Sequence, residues 1–517
     1  MPVIMGPILG FQGMQDGKWK VGALVVTEAL SPLGTFNIGG ETPNATPNLI
    51  HTHANRQVWR LDMGVPMTNE FQNISYEITE CERYSFSVPP LDAAPRMAFC
   101  SCNGFSSLKL MKDESTRDQM ANWLVMKSRH EAEPYQLLLM GGDQVYADEM
   151  WEVDGPLKEW AKLSFDAANV APFTDEMDKR TGDFYFKLYC RRWSQEGMKA
   201  MFARVPTIMM WDDHDIFDGW GSYLEERQNC PVFKGIFPHA RKAFEVFQRQ
   251  GITTQSDICL APAHGFSLGF NLGRIGLLVP DLRSERTRDQ VMSESHWNNV
   301  LDWLKKPGNE LFSHLLLVSS IPIVHPSFSM LESFLGVFPG QQELEDDLAD
   351  HWNSPPHVGE RDRIVMRLLD HAEKTKTRIS ILSGDVHVAV HGIIESARHG
   401  DNNAGVITQF TSSGIVHPPP PAAALLVYHL LNQRQDEIQR GVISRMMPIP
   451  GTQYSFIALR NWLSIEPDLD EARRDNPRLW VHWLAVEGSV VRDPKNQAIS
   501  PKDVKRYTKV VNPIKVT

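Results

Sequence analysis

Five short stretches of this chain place residues that can ligate a cation or move a proton directly behind apolar runs. The densest is Trp211-Asp212-Asp213-His214-Asp215, which comes after Val205-Pro206-Thr207-Ile208-Met209-Met210, a run of strand length. Carboxylates crowded beside a histidine repel one another unless a cation lies among them, and strand ends in open α/β sheets deliver side chains into the crevice where ligands bind. The chemistry implied is that of a metal centre. The same residues also suit an acidic helix N-cap, whose carboxylates accept free N–H groups and face the positive end of the helix dipole, so this stretch alone leaves both readings open.

The companions share the same plan. Arg96–Phe99 runs into Cys100-Ser101-Cys102-Asn103, where Cys102 is the thiol nearer the strand end. Cys-x-Cys is too tight for both thiols to join one tetrahedral site, so the alternatives are one ligand or two small core residues. The wholly apolar Leu137-Leu138-Leu139-Met140 ends in Gly141-Gly142-Asp143, with Tyr146 three residues on. If a helical turn begins there, that spacing returns the phenol to the carboxylate's side. Ile275–Val279 leads to Asp281-Leu282-Arg283-Ser284-Glu285-Arg286, where an arginine could hold a phosphoryl group bidentately or join a weak surface pair. Ile379–Leu382 ends in Ser383-Gly384-Asp385-Val386-His387, a carboxylate and an imidazole two residues apart.

The elements that must position these side chains are buried parallel strands, whose continuous apolar runs imply layers on both sheet faces. The chain has 517 residues, more than the ~250–300 of a single core, so one large domain with an accessory module is expected. Residues 1–92 alternate short apolar runs (Lys20–Thr27, Gln57–Leu61, Ser75–Ile78, Tyr84–Val88) with Gly, Pro and Asn turns, the pattern of a small N-terminal β-sandwich that Pro89-Pro90 ends. Residues 93–450 then carry the site, with helices expected at Asp113–Arg129, over 150–204, at Glu294–Lys305, in parts of 330–372 and at Ala422–Arg440; residues 451–517 read as C-terminal strands packed on that domain.

Composition narrows the partners. At 42% apolar, 22% charged and 14 Trp the chain is a folded globular protein, and its net charge of −11 argues against a general nucleic-acid binder. No apolar run reaches the ~20 residues of a membrane span. The first residues show no secretion signal, and six scattered cysteines fit a reducing compartment, so a cytoplasmic location is expected, or a periplasmic or secreted one if a signal has been removed. Oligomeric state is not encoded in any pattern found.

Taken in order, Ser101-Cys102-Asn103, Gly142-Asp143-Gln144-Val145-Tyr146, Trp211-Asp212-Asp213-His214-Asp215, Asp281-Leu282-Arg283-Ser284-Glu285-Arg286 and Ser383-Gly384-Asp385-Val386-His387 resemble the motif series of the alkaline phosphatase D (PhoD-like) family of calcineurin-like metallophosphoesterases. The resemblance runs from about residue 20 to residue 490 and includes a closing hairpin from Tyr454–Ile457 and Leu479–Trp483. It implies an α/β fold: a four-layer α-β-β-α sandwich preceded by a small all-β domain of immunoglobulin or fibronectin type. It also implies that Cys102, Asp143, Tyr146, Asp213, Asp385 and His387 ligate two or more metal ions, and that His214 is the catalytic acid. Arg283 would hold the phosphate, with Arg286 beside it on the substrate. Where relatives carry asparagines this chain has Asp218-Gly219, and Asp218 keeps an oxygen ligand while adding charge.

A thiolate and a phenolate beside carboxylates favour Fe3+, whereas oxygen-only neighbours suit Ca2+, Mn2+ or Mg2+, with Zn2+ a further option. The expected activity is metal-dependent hydrolysis of a small-molecule phosphate ester, diesters ahead of monoesters, by a metal-activated water. Two other classes stay open: a dinuclear hydrolase acting on a non-phosphate bond, and a weakly active or inactive metal-binding scaffold.

Overall fold

The computed structural model describes residues 3–28, 31–113, 119–252, 257–325, 350–400, 403–422, 425–426, 429, 435–468, 475–486 and 504–514. Two large sheets dominate. The first has ten strands in the order Val504–Val511, Leu479–Val486, Asn461–Pro467, Met97–Cys100, Leu137–Gly141, Thr207–Met210, Val3–Gln15, Lys18–Glu28, Arg56–Pro66 and Thr46–His53. Its centre is parallel, with Met97 level with Leu137 and Leu138 level with Thr207. The second has nine strands, and its parallel centre is Ile275–Val279, His314–Ser319, Arg378–Ser383 and Val406–Thr411.

Alternation along these strands builds the layers, because successive side chains point to opposite faces. Leu316, Val318 and Leu382 point into one core shared with Phe99, Leu139 and Trp483 of the first sheet. Leu315, Leu317, Ile379 and Ile381 point the other way, into a second core closed by Trp297 and Leu301 of the helix Glu294–Asp302 and by Ile364, Leu368 and Leu369 of the helix Val358–Thr375. The helices Ala121–Ala132, Asp175–Trp193 and Glu196–Phe202 pack on the ten-stranded sheet. The arrangement is a mixed α/β fold of two facing sheets with helices outside.

Several expectations need correction. The first 92 residues do form strands, but they are not a unit apart. Val3–Gln15 inserts beside Thr207–Met210, with Gly10 level with Thr207, and carries Lys18–Glu28, Arg56–Pro66 and Thr46–His53 into the large sheet. A three-stranded sheet, Gly34–Phe36, Gln72–Ile78 and Tyr84–Val88, is what remains separate. Hydrogen-bond continuity with the parallel centre overrides the compositional break at Pro89-Pro90.

The closing hairpin is displaced as well. Leu479–Val486 pairs with Asn461–Pro467, whereas Phe456–Ile457 joins Ala389–Ser396 in the other sheet. The expected helix Ala422–Arg440 stops short, since Gln435–Gln439 is a strand paired with Val442–Met447, and residues 423–424, 427–428 and 430–434 between lie outside the described residues. The same holds for residues 114–118 of the helix expected at Asp113–Arg129 and for residues 326–349.

Candidate metal centre

The register brings the strand ends level. Met140 lies beside Cys100 and Gly141 beside Met210 in the first sheet, while Ser319, Ser383 and Thr411 align in the second. The loops leaving these strands therefore emerge at one edge, where the carboxyl ends of parallel strands open a crevice. Glycines let the loops meet. A Cβ on Gly384 would lie 2.4 Å from Ser101 Oγ, and one on Gly142, at φ +115°, would lie 2.7 Å from Asp212 Cβ.

Four of the expected ligands, Cys102, Asp143, Asp385 and His387, sit in the left-handed region, at φ of 55°, 55°, 71° and 53°. That conformation is costly for residues with a Cβ and collects at functional sites. Backbone bonds hold it: Cys102 N–H donates to Gly142 O at 3.2 Å and Asn103 N–H to Asp143 O at 2.8 Å. Ser413 Oγ lies 3.0 Å from Cys102 Sγ and accepts the His387 N–H at 2.8 Å, so one hydroxyl ties the two strand ends.

Asp143 is 1% exposed, and its Oδ1 has no hydrogen-bond partner. Its Oδ2 is 3.4 Å from both Cys102 Sγ and Tyr146 Oη. Ligand atoms of Asp143, Asp213 and His214 all lie within 4.8 Å of one another. Burial pushes the Asp143 carboxyl well above its usual range; the positive charge of His214 offsets this in part, and Asp213, Asp212 and Asp215 add to it. Burial raises the Cys102 thiol and the Tyr146 phenol too, and the charge of Asp143 raises both further. Acidic donors that cannot ionise together are the electrostatic signature of a site shaped for a cation.

His214 is held differently. Its Nδ1 meets Asp148 Oδ2 at 2.6 Å and its ring stacks on Tyr146 at 4.2 Å. Burial works against its charge, but Asp148 and Asp213 outweigh that and keep the imidazolium well above its ordinary range. Its Nε2 is left facing Asp218 Oδ1 at 3.8 Å. Asp215 is the brace, accepting from Gln144 N and Val145 N at 3.0 and 3.1 Å and from Asp212 N at 2.9 Å, which locks the Asp143 turn to the Asp213 turn.

The other expected residues divide. The main-chain oxygen of Asp385 is 3.8 Å from Cys102 Sγ, and its carboxylate lies 3.7 Å from His351 Nδ1. His387 stacks on His417 at 3.7 Å, and His417 on Tyr146 at 5.5 Å. Asp218 stands at the rim: its side chain is 39% exposed and faces His214 rather than Asp143, while its backbone N–H is held by Asp148 Oδ1 at 2.7 Å. Asp213 Oδ2 accepts instead from Gly219 N at 2.8 Å.

Arg283 does not have the expected substrate role. It is fully buried and all five of its N–H donors are engaged: Nε by Asp212, Nη1 by Trp220 O at 3.0 Å and Asp350 Oδ1 at 2.7 Å, and Nη2 by Asp350 Oδ2 at 2.6 Å and Asp213 Oδ1 at 3.4 Å. Arg286 is equally buried against Asp350, with Nε 3.1 Å from its carboxylate. The Arg283 guanidinium is spent on protein partners and fixes Asp212 and Asp213, whereas Arg286 pairs with Asp350 and keeps its buried Nη1 without a hydrogen-bond partner.

Sequence reasoning missed Asp148, Asp350, His351 and Ser413. Asp148 falls five residues after Asp143, on the 3-10 turn Ala147–Trp151. His391 is a core residue packed on Phe410 and Trp483. His417 and His325 both border the site, His417 by stacking on His387 and His325 by stacking on His351 at 4.3 Å.

The chain resembles known proteins in sequence and in fold. The sequence pattern of the PhoD related phosphatases matches residues 65–339 and 328–442. An uncharacterized protein of Saccharomyces cerevisiae is 26% identical over 477 residues, spanning 77% of this chain and 67% of the yeast protein. The solved structure of PhoD superposes with a TM-score of 0.58 at 14% identity, over 100% of this chain and 93% of that one. A purple acid phosphatase from yellow lupin (Lupinus luteus) seeds gives a TM-score of 0.49 at 10% identity, over 98% of this chain and 74% of the lupin chain.

Proposed function

The chain belongs to the PhoD related phosphatases, and on that premise we propose that it is a metal-dependent phosphoesterase acting on small phosphate esters. The observation that carries this reading is the Asp143 carboxylate, buried, with one oxygen unpartnered, among a thiol, a phenol and a second carboxylate. These residues fit a cation by charge and by donor type. Cys102, Asp143 and Tyr146 would hold one ion, and Asp143, Asp213 and Asp385 a second, with His387 at the margin. Such ions, when bound, polarise phosphoryl oxygens and supply an acidified water for attack at phosphorus.

The chain's own residues do the rest. Asp148 orients His214 and keeps it protonated, so that its Nε2 proton is available to the leaving oxygen. Arg283 holds Asp212 and Asp213 in place, and Asp218 flanks the proton donor at the mouth.

Elemental analysis of the purified protein beside a panel of phosphate mono- and diesters and carboxyl esters tests the proposal. At least one tightly held transition metal and hydrolysis confined to the phosphate esters are expected. Asp143→Asn should lose metal and cut kcat by about 10³-fold, the equivalent of roughly 4 kcal/mol of transition-state stabilisation. Full metal content with near-normal turnover in that variant would overturn the site.

A further inference from the structure

A second cavity lies beside the loop that follows Asp218, with Tyr223 between them. The loop after Asp218 folds back at Gly219, whose φ of +70° lets the Tyr223 ring lie 3.3 Å from where a Cβ would stand. Tyr223 Oη then donates to Asp218 O at 2.8 Å. The same Tyr223 lines a cavity of about 440 Å³ with Trp151, Trp160, Phe165, Leu224 and Phe233. Trp151 closes the 3-10 turn that carries Asp148, so both elements holding His214 also build the cavity wall.

Its walls are mostly flat and apolar, with the Arg227 guanidinium lying over the Trp160 and Phe165 rings at 5.2 and 4.7 Å. Trp151 and Trp160 lie 5.5 Å apart and tilted by 32°, and Trp160 is 5.6 Å from Phe233. Phe165 and Leu224 at the rim are 37% and 53% exposed, a placement that burying an apolar partner would make favourable. The volume lies within the range of small-molecule pockets and suits a one- or two-ring group.

Position selects the occupant. Tyr146 covers one face of His214 and Asp148 takes Nδ1, so the proton leaves from Nε2, on the Asp218 side. The oxygen that receives it belongs to the alcohol departing as the P–O bond breaks and the attacking water's oxygen bonds to phosphorus. That alcohol therefore lies towards Asp218 and Tyr223. We propose that this cavity receives the leaving group, and that the preferred substrates are phosphate esters of aromatic or other flat apolar alcohols. The proposal rests on the phosphoesterase reading above.

The test compares 2-naphthylmethyl phosphate and ethyl phosphate in the wild-type holoenzyme and in F165S/L224S, both changes being at exposed positions. Because the same two esters are used in both proteins, intrinsic leaving-group reactivity cancels. The naphthylmethyl-to-ethyl ratio of kcat/KM should fall about tenfold in the variant, with thermal melting unchanged. Binding of 2-naphthol, followed by quenching of tryptophan fluorescence, should weaken in parallel. An unchanged ratio with unchanged naphthol binding overturns the proposal, as does an apolar rim that instead drives self-association abolished by F165S/L224S. Hydrolysis of neither ester by wild type is failure of the phosphoesterase reading, and naphthol binding still reports on the cavity.

Discussion

Asp350 grips Arg283 with both carboxylate oxygens, at 2.7 and 2.6 Å, from a position 67 residues along the chain. Ser222 Oγ donates to the same carboxylate at 2.6 Å, and neither charged side chain is more than 7% exposed. Burial opposes ionisation of Asp350, but Arg283 and Arg286 hold it well below the usual carboxylate range. Removing one partner of such a pair leaves a buried charge uncompensated. Asp350→Leu should therefore cost about 3–5 kcal/mol in urea unfolding. Arg283→Lys keeps the charge but not the five-donor fork, and the resulting shift of Asp213 should lower kcat about 10²-fold with smaller loss of stability. Wild-type stability in the first variant would remove the network from the architecture of the site.

Asp148 Oδ2 meets His214 Nδ1 at 2.6 Å, while its Oδ1 accepts the Asp218 N–H at 2.7 Å. Asp148→Asn keeps the shape and loses the charge, so kcat should fall by about 10²–10⁴-fold, the usual worth of a positioned proton donor. Bound metal, measured on the same sample, should match wild type, because Asp148 lies outside the group formed by Asp143, Asp213 and His214. Parallel loss of metal and rate would instead make Asp148 part of the cation site.

The strand ends were legible because burial on both sheet faces writes a continuous apolar run, and Cys102, Asp143, Asp213 and Asp385 each stand where such a run stops. Which donors face a cation and which face another side chain was not legible. Arg283 shows why: its partner Asp350 shares no periodicity with it and meets it only through the tertiary fold. The place of Val3–Gln15 beside Thr207–Met210 is hidden for the same reason, since pairing between strands so far apart in the chain leaves no local pattern. The left-handed residues were equally silent, because only their neighbouring glycines mark the turns.

Gly142 is the glycine on which the Asp143 turn depends. Its φ is +115°, and an added Cβ would stand 2.7 Å from Asp212 Cβ, itself held by Arg283 and by Ser320 Oγ at 2.9 Å. Gly142→Ala should cost about 1–3 kcal/mol in backbone strain, with kcat falling further as Asp143 is pushed from the cluster. A variant with native melting temperature and native rate would show that the turn tolerates a side chain.

Buried neutral histidines far from the metal centre give the fold an acid limit. Burial, with a smaller contribution from Arg204, lowers His130 to about 4; burial lowers His314 to about 4 against a hydrogen bond to Pro477 O, and His391 to about 4 against one to Pro448 O. Free in the unfolded chain, each takes its proton near pH ~6.5. Between there and pH 4 the unfolded state binds protons that the folded state refuses, so stability falls as pH falls, by up to about 1.4 kcal/mol per pH unit for each histidine. Asp215, raised by burial to about 7, acts in the opposite sense over the same window, which makes a difference in slope the proper readout. In urea unfolding at pH 7, 5.5 and 4.5, His314→Gln should be less stable than wild type at pH 7 and should lose less stability on acidification. Equal slopes in the two proteins would mean that His314 is already protonated in the fold.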